Sequence, residues 1–249
     1  MKKLFNLTFG AITCCCILCT HPQPLEQYVL EGYAPMNIGD FRQFIVMPDS
    51  VTVQFEIIQK VLRSDGQLVY QENVSSGTGF DSIETTYCYN NGNFIINCDS
   101  LDTLHDTSGN LLVVNPYGES RFALPNPSEG FRWFQIETNT IRFQRRAKLI
   151  GYISTPIGSF ENVFGFEFYS YATDSVPFMT VCHGENYGYL YTFMENKVDS
   201  FLSIPVYSRV AGVERGIRRP PKGPPVNPDT SGFFKRRLEV VRKHLYCFM

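Results

Sequence analysis

Several signatures are missing from this sequence. There is no Gly-x-Ser-x-Gly nucleophile elbow, no His-Glu-x-x-His pair and no Walker loop, which counts against the common hydrolase, zinc-peptidase and nucleotidase classes. No apolar run reaches the roughly 20 residues of a spanning helix. Basic charge is scarce in most of the chain. From Arg209 onward there are ten Lys or Arg and three Asp or Glu, giving +7, so with a net charge of -2 residues 1–208 carry -9. Phosphate binding needs a basic footprint, and an acidic body argues against nucleic acid as its partner. Outside the first twenty residues only four cysteines remain, Cys88, Cys98, Cys182 and Cys247.

The other four cysteines sit together in ITCCCILC, near the start. Lys2 and Lys3 precede an apolar stretch from Leu4 to Ile12, which reads as a secretory leader too short to span a membrane. Cysteine at the end of such a leader resembles the lipobox of bacterial lipoproteins: an aliphatic residue, two small residues, then the acylated cysteine. Cys15 follows Ile12, Thr13 and Cys14 and is the first lipidation site to test. Cys19 follows the bulky Leu18 but begins the polar tether, and is the second. Each buried methylene contributes about 0.8 kcal/mol, so multiple acylation holds a domain on a membrane. The expected partner through the anchor is therefore the membrane, and the expected location a bacterial cell envelope, at the outer membrane.

Beyond the leader, period-two alternation dominates. SVTVQFEI puts Val51, Val53, Phe55 and Ile57 on one face and Thr52, Gln54 and Glu56 on the other, the mark of a strand wet on one side. Similar runs occur at QLVYQEN, IETTYCY, NLLVV, RWFQIE, TIRFQRRAKLI, ENVFGFEFYSY, VPFMTVC, YGYLYTFM and LSIPVYS, separated by turn signals such as Ser64-Asp65-Gly66 and Asn115-Pro116-Tyr117-Gly118. Residues 34–208 show no helical period. About ten strands with no helix to cover them bury their apolar faces against one another, which makes the body all-β, an antiparallel β-sandwich or a curled, partly open barrel. The expected organisation is a lipoprotein-type signal segment over 1–20, a tether over 21–33 and the β domain over 34–208. A basic, Pro-rich linker over 209–231 and a basic amphipathic helix over 232–249 follow.

The segment CYNNGNFIINC reads as a hairpin turning at Asn91-Gly92, with Cys88 and Cys98 a candidate disulfide. A two-residue turn there sets Ile95 opposite Cys88, whereas direct pairing of the cysteines requires a loop centred on Asn93. Two aromatic stripes stand out. Phe164, Phe166 and Phe168 share one face of a strand, and Tyr187, Tyr189, Tyr191 and Phe193 one face of another. Such stripes are either core or a platform for a lipid or glycan, and they are the candidate ligand platform.

Cys182-His183-Gly184-Glu185 gathers three groups that bind metals or act as nucleophile and base, but neighbours on a strand point to opposite faces, so no metal site is assigned. Asp99, Asp102 and Asp106, with His105, lack the spacing and the glycine of a calcium loop and read as a solvated turn. No catalytic residue and no cofactor is assigned.

YAPMNIGDFRQF, the strand-turn-strand around SDGQLVYQ, and above all TPIGSFENVFGFEF followed by ENYGYLYTF resemble a broad group of β-rich lipoproteins of Bacteroidota with a Thr-Pro-x-Gly-Ser/Thr-Phe-Glu-Asn-Val segment. The likeness runs over residues 33–208; Arg42 stands where that group usually has an aromatic, and the late motif keeps only Gly188. The resemblance implies an envelope location and an all-β fold and carries over no catalytic residue. The segment itself reads as a corner, with Thr155-Pro156 ending a strand, Gly158 allowing a tight turn and Phe160 capping the core.

The resulting expectation is a non-enzymatic, lipid-anchored envelope protein whose β body binds a protein partner or an apolar ligand. The alternative is an envelope enzyme acting on glycan or lipid, with Glu161, Glu167 and Glu185 as its first carboxylates to test. In the tail, Phe234, Leu238, Val241, Leu245 and Phe248 recur at helical spacing among basic residues, as in helices that lie on anionic membranes.

Overall fold

The computed structural model describes residues 32–77, 82–105, 109, 115–137, 142–169, 175–195 and 200–220. The leader with Cys15 and Cys19, NLLVV, Asp106, Cys247 and the C-terminal amphipathic segment lie outside them. Among the described residues there is no helix, and the fold is all-β as expected.

Thirteen strands of the described residues form one antiparallel sheet: β1 (Phe41–Met47), β2 (Val51–Leu62), β3 (Leu68–Ser76), β4 (Ser82–Asn90), β5 (Ile95–Cys98), β6 (Ser120–Ala123), β7 (Arg132–Glu137), β8 (Arg142–Thr155), β9 (Gly158–Tyr169), β10 (Met179–Gly184), β11 (Gly188–Glu195), β12 (Ser200–Val210) and β13 (Val213–Gly216). Their order is β6-β5-β4-β3-β2-β1-β12-β11-β10-β9-β8-β7, with β13 added to β12. Two meanders, β1 to β6 and β7 to β12, therefore join through the β1–β12 ladder, which pairs strands far apart in sequence. The sheet curls until its edge strands β6 and β7 meet, and the Trp133 indole N–H donates to the Arg121 carbonyl across that seam at 3.0 Å. The result is a barrel that is nearly closed and filled with side chains.

The filling follows the alternation. Val51, Val53, Phe55 and Ile57 of β2 are all buried, as are Phe164, Phe166 and Phe168 of β9. Phe166 meets Trp133 edge to face, with ring centroids 5.8 Å apart, which ties the edge strand β7 to β9 within its own meander. Thr52 and Gln54, expected to face water, are buried as well. On that outer side of the sheet the chain beyond β13 folds back over β1, where the Gln43 amide exchanges two hydrogen bonds with the Arg219 backbone at 2.7 and 2.8 Å. Short polar side chains fit under such a strap because their hydrogen-bonding groups find partners there.

Both expected boundaries of the β domain shift outward. The linker does not begin at 209: β12 runs to Val210, β13 follows, and Arg218 lies over the Phe41 ring at 4.7 Å. Nor does the tether extend to 33. Tyr33 is buried edge to face against Phe164, its N–H donates to the Pro125 carbonyl and its hydroxyl to the Asn162 carbonyl. β1 is a further strand that the sequence reading passes over, since FRQFIVM mixes buried Arg42 and Gln43 with its apolar residues.

The CYNNGNFIINC hairpin forms, but its bridge does not. Asn90 pairs with Ile95 and Cys88 with Asn97, while Cys98 pairs with Tyr87. The two cysteines are thus one residue out of register, project from opposite faces, and are free thiols. The register is set by a four-residue loop that the asparagines build: the Asn91 Oδ1 accepts from Phe94 N at 2.7 Å and from Asn93 N, and the Asn90 Oδ1 accepts from Gly92 N at 2.8 Å. Neither of the two loops weighed from the sequence is the one formed.

Candidate functional site

β8 and β9 make the longest hairpin, and the site begins with its bend. Two register shifts, at Leu149/Gly151 and Gly151/Ile153, interrupt the ladder, with Gly151 at φ +86. Extra residues on one strand bend it. Beyond the bend the hairpin tip folds over the outer face of β10 to β12, where Ile157, Phe160 and Val163 pack on Cys182, Tyr187, Leu190 and Val210 in a second, smaller core. The Thr-Pro-x-Gly segment makes the tip: Thr155 pairs with Gly158, its hydroxyl donates to the Gly158 carbonyl at 2.9 Å and accepts from Ile157 N, and Phe160 packs at a tilt on Tyr187, ring centroids 4.8 Å apart. The segment is the structural corner its sequence implied.

Between that tip and the lower half of the same sheet a cleft of about 690 Å³ is left open. Its floor is the outer face of three strands, with Thr180 and Cys182 from β10, Tyr191 and Phe193 from β11, and Leu202 and Ile204 from β12. Ile150, Ile153 and Pro156 of the bent hairpin form the wall. Gly165 makes room for it: a Cβ there would stand 2.9 Å from Thr180 Cγ2 and 3.1 Å from Ile150 Cδ1, so only glycine lets Ile150 settle onto the sheet. Phe193 is 44% exposed, a large apolar surface left in solvent at the mouth.

One end is charged. Glu167, almost fully buried, receives Arg146 Nε at 2.7 Å and the Tyr169 hydroxyl at 2.7 Å on the same oxygen, Oε2. Burial and this bond to the carboxylate push the Tyr169 hydroxyl up to about 12. Lys148, half-exposed on the cleft rim, lies 3.6 Å from the other carboxylate oxygen. On the floor, burial pushes the Cys182 thiol up to about 12, so it is a protonated, apolar lining group and not a nucleophile.

The two aromatic stripes divide differently from the expectation. Phe164, Phe166 and Phe168 are core and present no platform. The tyrosine stripe does not share one face. Cys182 pairs with Tyr191 and His183 with Tyr189, so Leu190 is an extra residue, a bulge that splits the run. Tyr189 is buried in the main core against Phe44 at 4.6 Å, Tyr187 in the smaller core, and only Tyr191 and Phe193 reach the cleft.

Cys182 and His183 do point to opposite faces. His183 lies within β10. Its ring is buried among Phe122, Phe166 and Tyr189, and Nδ1 lies 2.7 Å from the Tyr33 carbonyl, which makes Nδ1 the protonated nitrogen. Burial holds its pKa down at about 4. Of the three carboxylates weighed for catalysis, Glu167 alone lines the cleft; Glu185 is held by Asn162 Nδ2 at 3.1 Å in the turn before β11, and Glu161 is exposed. The pair needed for glycoside hydrolysis is not assembled there.

Ile150, Ile153, Leu202, Ile204 and Lys148 were missed as site residues. A signal existed: FLSIPVYS carries apolar residues on both faces, Phe201 inward and Leu202 and Ile204 outward, and a strand apolar on both faces has something covering its outer side.

No protein-family profile and no curated protein matches the chain. Similar solved structures include a Parabacteroides distasonis protein described as a lipoprotein, at 13% identity and a TM-score of 0.38, covering 70% of this chain and 97% of its own. A Bacteroides fragilis protein described as exported, with a YmcC-like fold, is similar at 11% identity and a TM-score of 0.39, with the same 70% and 97% coverage.

Proposed function

We propose that this chain is a lipid-anchored protein of a bacterial cell envelope that catalyses no reaction and holds an apolar ligand in the cleft between the β8–β9 tip and the outer face of β10 to β12. The cleft carries the reading. Its roughly 690 Å³ fall within the ~300–1,000 Å³ of small-molecule sites, and its floor and wall are mostly aliphatic and aromatic. A concave, narrow surface suits a small molecule better than the flat face of a folded partner. The leader, whose lipobox-like window ends at Cys15, supports the location.

Native mass spectrometry of the protein released from its own envelope tests the ligand: one small apolar adduct per chain is expected, lost in Ile204→Trp, which fills the floor. A bare chain that instead retains a protein partner would replace this reading with an interaction module. For the anchor, metabolic labelling with a palmitate analogue is expected to mark the wild type and not Cys15→Ser; absence of label in the wild type removes it.

A further inference from the structure

We infer that the occupant of this cleft is an uncharged lipid with a hydroxyl head, a long-chain alcohol, whose hydroxyl bridges the Lys148 ammonium and the Glu167 carboxylate and whose chain runs over Tyr191 and Ile204. The inference rests on the ligand reading above and adds the chemistry of the head.

The charges around the cleft cancel at whichever distance they are counted. Among the described residues, Lys148 and Glu167 are the charged pair of the lining, and they face each other as an ion pair. One step further out, Arg146 reaches Glu167 Oε2 through Nε and Nη2, and Glu129, which accepts from Leu149 N, adds a second carboxylate acting on Arg146. Two cations thus stand against two carboxylates. Arg215 lies over the Phe160 ring of the smaller core, outside the lining. An anionic head would give up its water for a site with no net charge to receive it, and burying an ion without a counter-ion is costly.

The ion pair at the head end still has hydrogen-bonding capacity to spare. Glu167 Oε2 takes both Arg146 and the Tyr169 hydroxyl, whereas Oε1 accepts no hydrogen bond among the described residues. Lys148 Nζ stands 3.6 Å from Oε1, beyond hydrogen-bonding length. A donor and an acceptor therefore face each other across a gap. A hydroxyl donates to the one and accepts from the other, while a carboxylate or an ether only accepts. Thr180, opposite Glu167 in the β9–β10 ladder, brings its own hydroxyl to this end.

The remaining hydroxyls of the lining do not extend this set into a sugar site. Thr155 is committed within its turn, and Ser203 is bonded inside the barrel to Thr192 N and the Tyr189 hydroxyl. The Tyr191 hydroxyl is engaged with the Cys182 thiol, and Ser154 is exposed at the hairpin tip. Between these points Ile150, Ile153, Leu202 and Ile204 offer only carbon, which suits an alkyl chain and leaves glycan hydroxyls without partners. From Glu167 on β9 to Ile204 on β12 the sheet spans three inter-strand spacings, about 14 Å, the room for that chain.

Calorimetric titration of the full chain with lauryl alcohol, its methyl ether and laurate, each below its aggregation limit, tests this. The alcohol is expected to bind about tenfold or more tightly than either of the others. Lys148→Met, a change at a half-exposed site, is expected to bring the alcohol down to the affinity of the ether, and Ile204→Trp to abolish binding of all three compounds. Laurate binding as tightly as the alcohol overturns the uncharged head. An alcohol that binds no more tightly than its ether, or is unaffected by Lys148→Met, overturns the hydroxyl bridge; each of these results leaves the apolar-ligand reading standing. Failure of all three to bind, or alcohol binding unchanged in Ile204→Trp, overturns the ligand reading itself.

Discussion

The two meanders share a core but differ on their outer faces. Outside β1 to β4 the sheet shows a polar ladder: Gln59 Nε2 donates to Gln71 Oε1 at 2.9 Å, the Thr85 hydroxyl to Asn73 Oδ1 at 3.3 Å, and Gln43 to the strap. Outside β8 to β12 the corresponding positions are Ile150, Tyr191, Phe193, Leu202 and Ile204. An antiparallel sheet needs only one apolar face to fold, so the polar ladder is what stability alone calls for. The apolar outer face of the second meander is in surplus to that requirement. Part of the surplus is consumed by the folded-over hairpin tip, and what the tip leaves open is the cleft.

The largest effect should separate inner from outer face within that second meander. Phe166→Ala, at a position with no exposure, is expected to cost about 3–5 kcal/mol in urea unfolding, whereas Phe193→Ala costs less than about 1 kcal/mol. Equal losses would mean that the outer aromatic is structural and would break the contrast.

The interiors of the two meanders should oppose each other on acidification. In the second, His183 is held at about 4 against an ordinary 6.5 by burial, with Arg42 and Arg145 adding to the effect and the Tyr33 carbonyl opposing it. The unfolded chain therefore takes up the proton first, and stability falls between pH 6.5 and 4. In the first, Glu72 is raised from 4.5 to about 7 by burial and by Asp40, against Arg42 and the Thr86 hydroxyl. There the folded chain takes up the proton first, so stability rises as pH falls from 7 to 4.5. Each shift amounts to about 3 kcal/mol. The wild type should be nearly flat between pH 7 and 4.5 in urea unfolding. His183→Gln should gain stability on acidification and Glu72→Gln should lose it. A steep wild-type profile, or variants that shift in the same direction, would remove the opposition.

A smaller loss is expected at the end of the first meander. The buried Arg63 guanidinium is shared by Asp65 at 2.7 Å and Glu119 at 2.6 Å and lies 4.0 Å over the Tyr117 ring, joining the β2–β3 turn to the chain before β6. Both carboxylates are about one-third exposed, so solvent takes over much of the pairing, and Arg63→Ala should cost about 2 kcal/mol. Arg63→Lys should recover only part, since one ammonium cannot serve both carboxylates and the ring. Full recovery by lysine would reduce the cluster to simple charge.

The smallest effect is at the cysteines. With Cys88 and Cys98 on opposite faces, reductant should change the unfolding free energy by less than about 0.5 kcal/mol, and both should titrate as thiols in denaturant without reductant. A bridged pair under those conditions would require β4 and β5 to slip by one residue.

What the sequence determined by itself is local. The alternation of Val51, Val53, Phe55 and Ile57 and of Phe164, Phe166 and Phe168 assigned strands and their buried face, because side chains on a strand alternate with period two whatever the partner. Thr155 to Gly158 likewise specified its own turn, through bonds made within four residues. The candidate site was legible only in fragments, Tyr191 and Phe193 among seven proposed aromatics. The tyrosine run was misassigned because a bulge is set by the pairing of two strands, and Leu190 is an extra residue only relative to Cys182 and His183 on β10. Cys88 and Cys98 missed each other for the same reason, a register fixed by the loop and its neighbour. The cleft needed more still: the bend at Gly151, the missing side chain at Gly165 and the approach of Ile150 bring together residues more than fifty positions apart in sequence, and only the folded chain decides that they meet.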